Sequence, residues 1–131
     1  MINKDSILAK METEEGFFNH NNYHVVENSE DSVIIEAALT EEAMNPYGIA
    51  HGGFIFGLGD VAMGVLAIKK GKRAVTLDAN IKYLKPGRGK KLFAQGKIIK
   101  NGDNIIFLEA NIYNDEEILV AKMTGTYYYL K

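Results

Sequence analysis

An α+β fold, with one antiparallel sheet of six strands curled around a single long helix, is predicted by three features of the 131-residue sequence. Residues 51–68 read HGGFIFGLGDVAMGVLAI, and a helix that is apolar on every side has to be buried on every side. Four segments after it carry strand patterns, and short turn signals separate them. Two further strand patterns precede it. Consecutive strands gathered beside one helix define the α+β class, and a sheet curled around the helix supplies the burial.

The elements follow in order. Residues 3–18 carry Ile7, Leu8, Met11 and Phe18 at spacings that predict a short amphipathic helix. YHVVE (23–27) is a weak strand pattern, and SVIIEAAL (32–39) a stronger one, rich in β-branched residues. AVTLDANIKYL (74–84) alternates, which predicts Val75, Leu77, Ala79, Ile81 and Tyr83 on one face and Thr76, Asp78, Asn80 and Lys82 on the other. PGRGK breaks the chain after it. KLFAQGKIIK and NIIFLEANIYN flank NGDN, a hairpin turn signal, and EILVAKMTGTYYYLK forms the last strand. No repeat or linker interrupts this order, so residues 1–131 read as one domain, with 1–18 as its short helical N-terminal segment.

The apolar segment is near the lower length limit of a membrane span, and Gly53-x-x-x-Gly57 has the spacing of a membrane dimer motif. Five glycines and a central Asp60 argue against a span. The N-terminal stretch has no uninterrupted apolar run, so no secretory signal is expected. There is no Cys, which excludes disulfides, Cys metal sites and thiol nucleophiles. A cytoplasmic location fits. The net charge is −2, but nine basic residues and one acid, Asp78, lie between Lys69 and Lys91. That strip is either a pair of solvated lysine-rich turns or a landing surface for a small polyanion. A pI near 5.9 argues against nucleic acid as a partner.

Gly53, Gly57, Asp60, Gly64 and Ala67 form one helical stripe, and every member except Asp60 is tiny. Each interior helix glycine costs about 1 kcal/mol relative to alanine, so the stripe predicts close approach of another backbone. Gly52 and Gly53 open the helix, where free N–H groups and the helix dipole favour an oxygen carrying negative charge. The pair is either an oxyanion hole or a packing device. Serine occurs only at 6, 29 and 32, none in a G-x-S-x-G elbow. His20, His24 and His51 form no metal pattern. A carboxylate, a water and backbone donors are what remain for chemistry.

Asn45, Gly48, His51-Gly52-Gly53, Leu58 and Asp60 together resemble the signature of the hotdog-fold acyl-CoA thioesterases of the PaaI-like branch. TLDANIKYLKPGRGK is similar to that family's strand and turn after the helix. The resemblance implies a hotdog fold, a homodimer, often a dimer of dimers, and hydrolysis of an acyl-CoA thioester with no metal or cofactor. By position it implies that Asp60 is the catalytic base or nucleophile and that the Gly52 N–H polarises the carbonyl. Asn45 then helps to position water and thioester, His51 orients the loop, and Thr76 places a hydroxyl near Asp60. Gly59 departs from the pattern, where a larger residue is usual, and is expected to loosen the helix. Gly53, Asn80, Lys82, Lys85, Arg88 and Lys90 are the expected substrate and CoA contacts.

Gly52 and Asp60 are eight residues apart, or about 12 Å along a helix axis. They cannot both reach one carbonyl carbon from the same helix. Two helices lying antiparallel in a two-fold dimer would bring Gly52 of one near Asp60 of the other, giving two identical composite sites. Two alternatives stay open: a hotdog dehydratase or hydratase using His51 and Asp60, and a non-catalytic acyl-CoA-binding protein.

Overall fold

The computed structural model describes residues 9–131 except 12, 15, 71 and 72. Its elements are a helical turn α1 (Phe17–His20), strands β1 (Tyr23–Asn28) and β2 (Ser32–Ala38), a 3-10 turn (Glu41–Ala43), helix α2 (Gly52–Ile68), and strands β3 (Ala74–Tyr83), β4 (Lys91–Asn101), β5 (Ile105–Asn114) and β6 (Leu119–Tyr129). All six expected strands and the long helix are present. The expected helix over 3–18 differs. Residues 9–11 and 13 are helical, the chain bends at Gly16, and α1 is a separate turn. Ile7 and Leu8 lie outside the described residues. Phe18 is buried, as its place on the apolar side predicts.

The sheet order is β1-β2-β4-β5-β6-β3, antiparallel throughout. β3 therefore sits at the opposite edge from β1, and α2 crosses the sheet between β2 and β3. On the way it packs against β2, β3, β4, β5 and β6. Inward residues of the strands meet the helix: Val33, Ile35, Ala94, Leu108, Ala110, Ile112 and Met123 are almost fully buried. From the helix, Leu58, Ala62, Met63, Val65, Leu66 and Ala67 are wholly buried. Burying a side chain the size of Leu or Val contributes about 1.5–3 kcal/mol, so this contact dominates the fold.

Within one chain it is side chains that approach the helix glycines. Space beside Gly57 is taken by the Tyr23 hydroxyl and the Phe17 ring, beside Gly53 by the His51 ring, and beside Gly64 by Tyr127. The backbone contact is made by a strand glycine: a Cβ on Gly96 of β4 would stand 3.0 Å from the Ala62 carbonyl oxygen. Gly125 of β6 likewise lies under Met63. Gly59 faces Met123 and Ile112 with no room for a side chain, so it seats the helix on the sheet, where the sequence pointed to a loosening.

The expected alternation of β3 is broken. Thr76 pairs with Tyr127 and Asp78 with Thr126, leaving Leu77 as the extra residue of a β-bulge. Tyr127 and Tyr129 point to the helix side, so their partners Thr76 and Ala74 do too. Beyond the bulge Ala79, Ile81 and Tyr83 share that side, opposite Gly125, Met123 and Ala121. Asp78, Asn80 and Lys82 stay outside, as does Val75. Thr76 is thus separated from the residues it was expected to accompany.

Replacing Gly96 with Ala is expected to cost about 1–3 kcal/mol, because helix backbone has to move to admit one methyl. A lower urea midpoint with an unchanged slope is the expected result.

Candidate active site

The loop before α2 is tied down before the helix starts. The Asn45 Oδ1 accepts from the Tyr47 and Ile49 N–H groups at 2.9 and 3.3 Å, and the Asn45 N–H donates to the Ile49 carbonyl at 2.8 Å. Gly48 takes the left-handed φ of 78° that this tight turn requires. The His51 N–H donates to the Ala43 carbonyl at 2.8 Å. These bonds fix His51 as the N-cap of α2, where its Nδ1 accepts from the Gly53 N–H at 2.9 Å. The Phe54 and Ile55 N–H groups donate to the His51 carbonyl. Of the first-turn donors, only the Gly52 N–H has no acceptor among the described residues.

Tyr83, at the end of β3, holds the other side of Gly52. Its hydroxyl donates to the Gly52 carbonyl at 2.7 Å, and burial raises its pKa. A Cβ on Gly52 would lie 3.2 Å from the Tyr83 oxygen, so the ring occupies the space a side chain would need. A cavity of about 350 Å³ opens here, lined among others by Ile49, Gly52, Ile55, Tyr83, Leu84 and Lys85.

Asp60 lies two turns further along α2 and is half-buried. Two hydroxyls reach the same carboxylate oxygen. Thr76 donates to Oδ1 at 2.9 Å, and Tyr127 donates to Oδ1 at 2.5 Å. The Tyr127 oxygen is also 2.8 Å from the Asp60 carbonyl oxygen. Burial first, then the charge of Asp60, pushes the Tyr127 hydroxyl far above the ordinary tyrosine range. Tyr23 is raised in the same way, burial first and Asp60 second, while its hydroxyl donates to the Phe54 carbonyl at 2.9 Å. Both phenols stay protonated. Gly53 is exposed, and Phe56, Asp60, Val61 and Gly64 are half-buried. Together they form the line along α2 that the sheet leaves open.

The structure brings together Asn45, His51, Gly52 and Gly53 at the helix entry, and Thr76 with Asp60. It divides the basic strip. Lys70 pairs with Asp31 at 2.9 Å and Lys91 with Glu36 at 3.5 Å. Lys82 and Asn80 lie on the outer face of β3, away from the helix. Lys85, Arg88 and Lys90 share the β3–β4 loop, which the Gly87 carbonyl joins to the helix entry by accepting from the Ala50 N–H at 2.9 Å. Asp115 holds the far end of that loop by accepting from the Lys90 N–H at 3.0 Å, a bond that lowers its pKa. Tyr83, Tyr127 and Asp115 are not among the site residues that the sequence predicts. Their roles depend on register and on loops far apart in the chain.

A family model of the thioesterase superfamily matches residues 47–121. A Streptococcus mutans protein solved bound to acetyl-CoA is 33% identical, with a TM-score of 0.79 over 83% of this chain and 89% of that one. The Escherichia coli medium/long-chain acyl-CoA thioesterase YigI is 27% identical over 95 residues, which cover 60% of this chain and 61% of that protein. This chain thus spans about three fifths of the length of that relative. The E. coli PaaI protein of the phenylacetic acid degradation operon shares the fold, with a TM-score of 0.90 at 20% identity over 98% of this chain and 94% of that one. The chain belongs to the thioesterase superfamily, and its sheet and helix form a hotdog fold.

His51→Ala removes the N-cap acceptor and is expected to cost about 0.5–2 kcal/mol. His51→Asn, which keeps an acceptor in reach, recovers most of it. Urea unfolding of the three proteins checks both.

Proposed function

We propose that this chain is a cytoplasmic acyl-CoA thioesterase acting as a homodimer, with each site shared between two helices. The observation that carries this reading is the pair on the open line of α2: an N–H at Gly52 with no acceptor among the described residues, and a carboxylate at Asp60 held by two hydroxyls. One attracts a carbonyl oxygen and the other activates a water or attacks directly. They lie about 12 Å apart along the axis, which supports pairing across two chains. The edge position of β3 supports it further. This strand of 10 residues is hydrogen-bonded on one side only and exposes Val75 and Leu77 at 44% and 56%. A long apolar edge of this kind invites pairing with a second copy. Val75 and Phe107 on the outer face offer a surface for joining dimers into a tetramer. The bound acetyl-CoA of the S. mutans relative and the substrate class of YigI support the ligand.

In the base mechanism the water oxygen bonds to the thioester carbon while its proton passes to the Asp60 carboxylate. The carbonyl oxygen becomes an anion and accepts from the partner helix's first-turn N–H. The C–S bond then breaks, and the CoA thiolate takes the proton. In the nucleophilic mechanism the carboxylate bonds to the carbon, CoA leaves as thiolate, and water hydrolyses the anhydride. Asn45 has its Oδ1 committed to the loop, so its Nδ2 is the end available to water or thioester. Lys85, Arg88 and Lys90 take the CoA phosphates. Asn80 and Lys82 meet substrate only where an outer-face neighbour is part of the site. A dehydratase needs a His–carboxylate pair, whereas the His51 Nδ1 is engaged with the Gly53 N–H.

A panel of short, long and aromatic acyl-CoAs, read by release of free thiol, tests this reading. Asp60→Asn is expected to lose more than about 100-fold in kcat while staying folded and dimeric. Binding of acyl-CoA by the parent without thiol release would identify a sensor instead of an enzyme. Charge reversal at Lys85 and Arg88 is expected to raise KM much more than it lowers kcat. That effect fades with an acyl-pantetheine substrate lacking the nucleotide. Equal damage with both substrates would make the loop cations structural.

A further inference from the structure

Tyr127 lies in a run of three tyrosines on β6, and its 2% exposure makes it a core residue by position. Its hydroxyl does something a core phenylalanine cannot. It meets the Asp60 Oδ1 at 2.5 Å, and Thr76 meets the same oxygen at 2.9 Å. Among the described residues no donor reaches the other carboxylate oxygen, Oδ2. The nearby Tyr23 hydroxyl is committed to the Phe54 carbonyl.

Building on the reading of Asp60 as base or nucleophile, we propose that Tyr127 is a positioning residue: together with Thr76 it anchors Oδ1 and leaves Oδ2 as the reacting oxygen. Two donors from two strands, β3 and β6, fix the rotation of the carboxylate about its last bond. A single donor leaves that rotation free. Hydrogen bonds to an ionised acceptor are shorter and about twice as strong as neutral ones, and the helix alone gives Asp60 no such restraint. The Leu77 bulge belongs to the same device, since it turns Thr76 inward opposite Tyr127. Anchoring one oxygen aims the other at the reacting carbon.

Tyr127→Phe keeps the ring and removes the donor. Its kcat is expected to fall about tenfold with KM little changed, as a modest loss of alignment does. The acidic limb of its kcat/KM profile moves to higher pH, because a carboxylate that loses a donor holds its proton more tightly. Placing 3-fluorotyrosine at 127 keeps ring and hydroxyl but strengthens the donor, and it moves the limb the opposite way. That second variant decides the matter if the phenylalanine variant folds poorly. A folded Tyr127→Phe protein with parental kcat and an unmoved limb overturns the proposal, as does a limb that 3-fluorotyrosine leaves in place. Asp60→Asn run in parallel separates the two levels. If it stays active, the role given to Asp60 is wrong. If it is dead while both Tyr127 variants behave as the parent, only the positioning role is wrong.

Discussion

The seating of one apolar helix on the inner face of a six-stranded sheet is the constraint on which the rest depends. Helix Gly52–Ile68 cannot be left in water, and the sheet has to come close enough to cover it. Gly96 and Gly125 on the strand side and Gly59 on the helix side make that distance possible. Helix backbone itself comes closest to the sheet at Gly96, where a Cβ would stand 3.0 Å from the Ala62 carbonyl oxygen. Cores of this density transmit small changes in volume. The position of Asp60 and the aim of the helix entry therefore both depend on this contact.

The proposed site lies on the one line of the helix that the sheet does not cover. At its start, His51 takes the Gly53 N–H, its carbonyl takes those of Phe54 and Ile55, and Tyr83 holds the Gly52 carbonyl. Together they leave one donor, that of Gly52, without an acceptor among the described residues. Two turns on, Asp60 receives hydroxyls from the two strands at the β3 edge. The same edge has its unpaired side and its exposed Val75 and Leu77 beside the site. Incomplete coverage of α2, an unpaired strand and the separation of Gly52 from Asp60 thus occur together, and on the proposed reading a second copy of the chain completes all three.

Much of this was legible in the sequence because the signals are local. The β-branched runs, the alternation in 74–84, and the NGDN and PGRGK turns mark the six strands, and the length of the apolar run marks the helix. The signature residues Asn45, His51, Gly52 and Asp60 fall at the helix entry and along its open line. What was not legible depends on pairing between distant segments. Nothing in AVTLDANIKYL announces a bulge at Leu77, because the extra residue is defined by Tyr127 and Thr126 across the ladder. The contact of Tyr127 with Asp60 needs that register as well. Placing β3 at the far edge, with β4 returning to β2, is likewise a long-range choice. The basic strip read as continuous along the chain, and the fold distributes it over the helix end, the outer face and one loop.

The central claim is that Asp60 of one chain serves the carbonyl held by Gly52 of another. Two inactive chains test it directly: Asp60→Asn, and Gly52→Pro, which removes the N–H and has to displace the Tyr83 ring that fills the space beside Gly52. Circular dichroism and mass of each protein are checked first, and the two are then mixed and refolded together. In a mixed dimer one site collects both lesions and the other collects neither. Activity is predicted to reappear, approaching half the parental rate per mixed dimer. Mixed dimers that form and remain inactive would contradict the shared site.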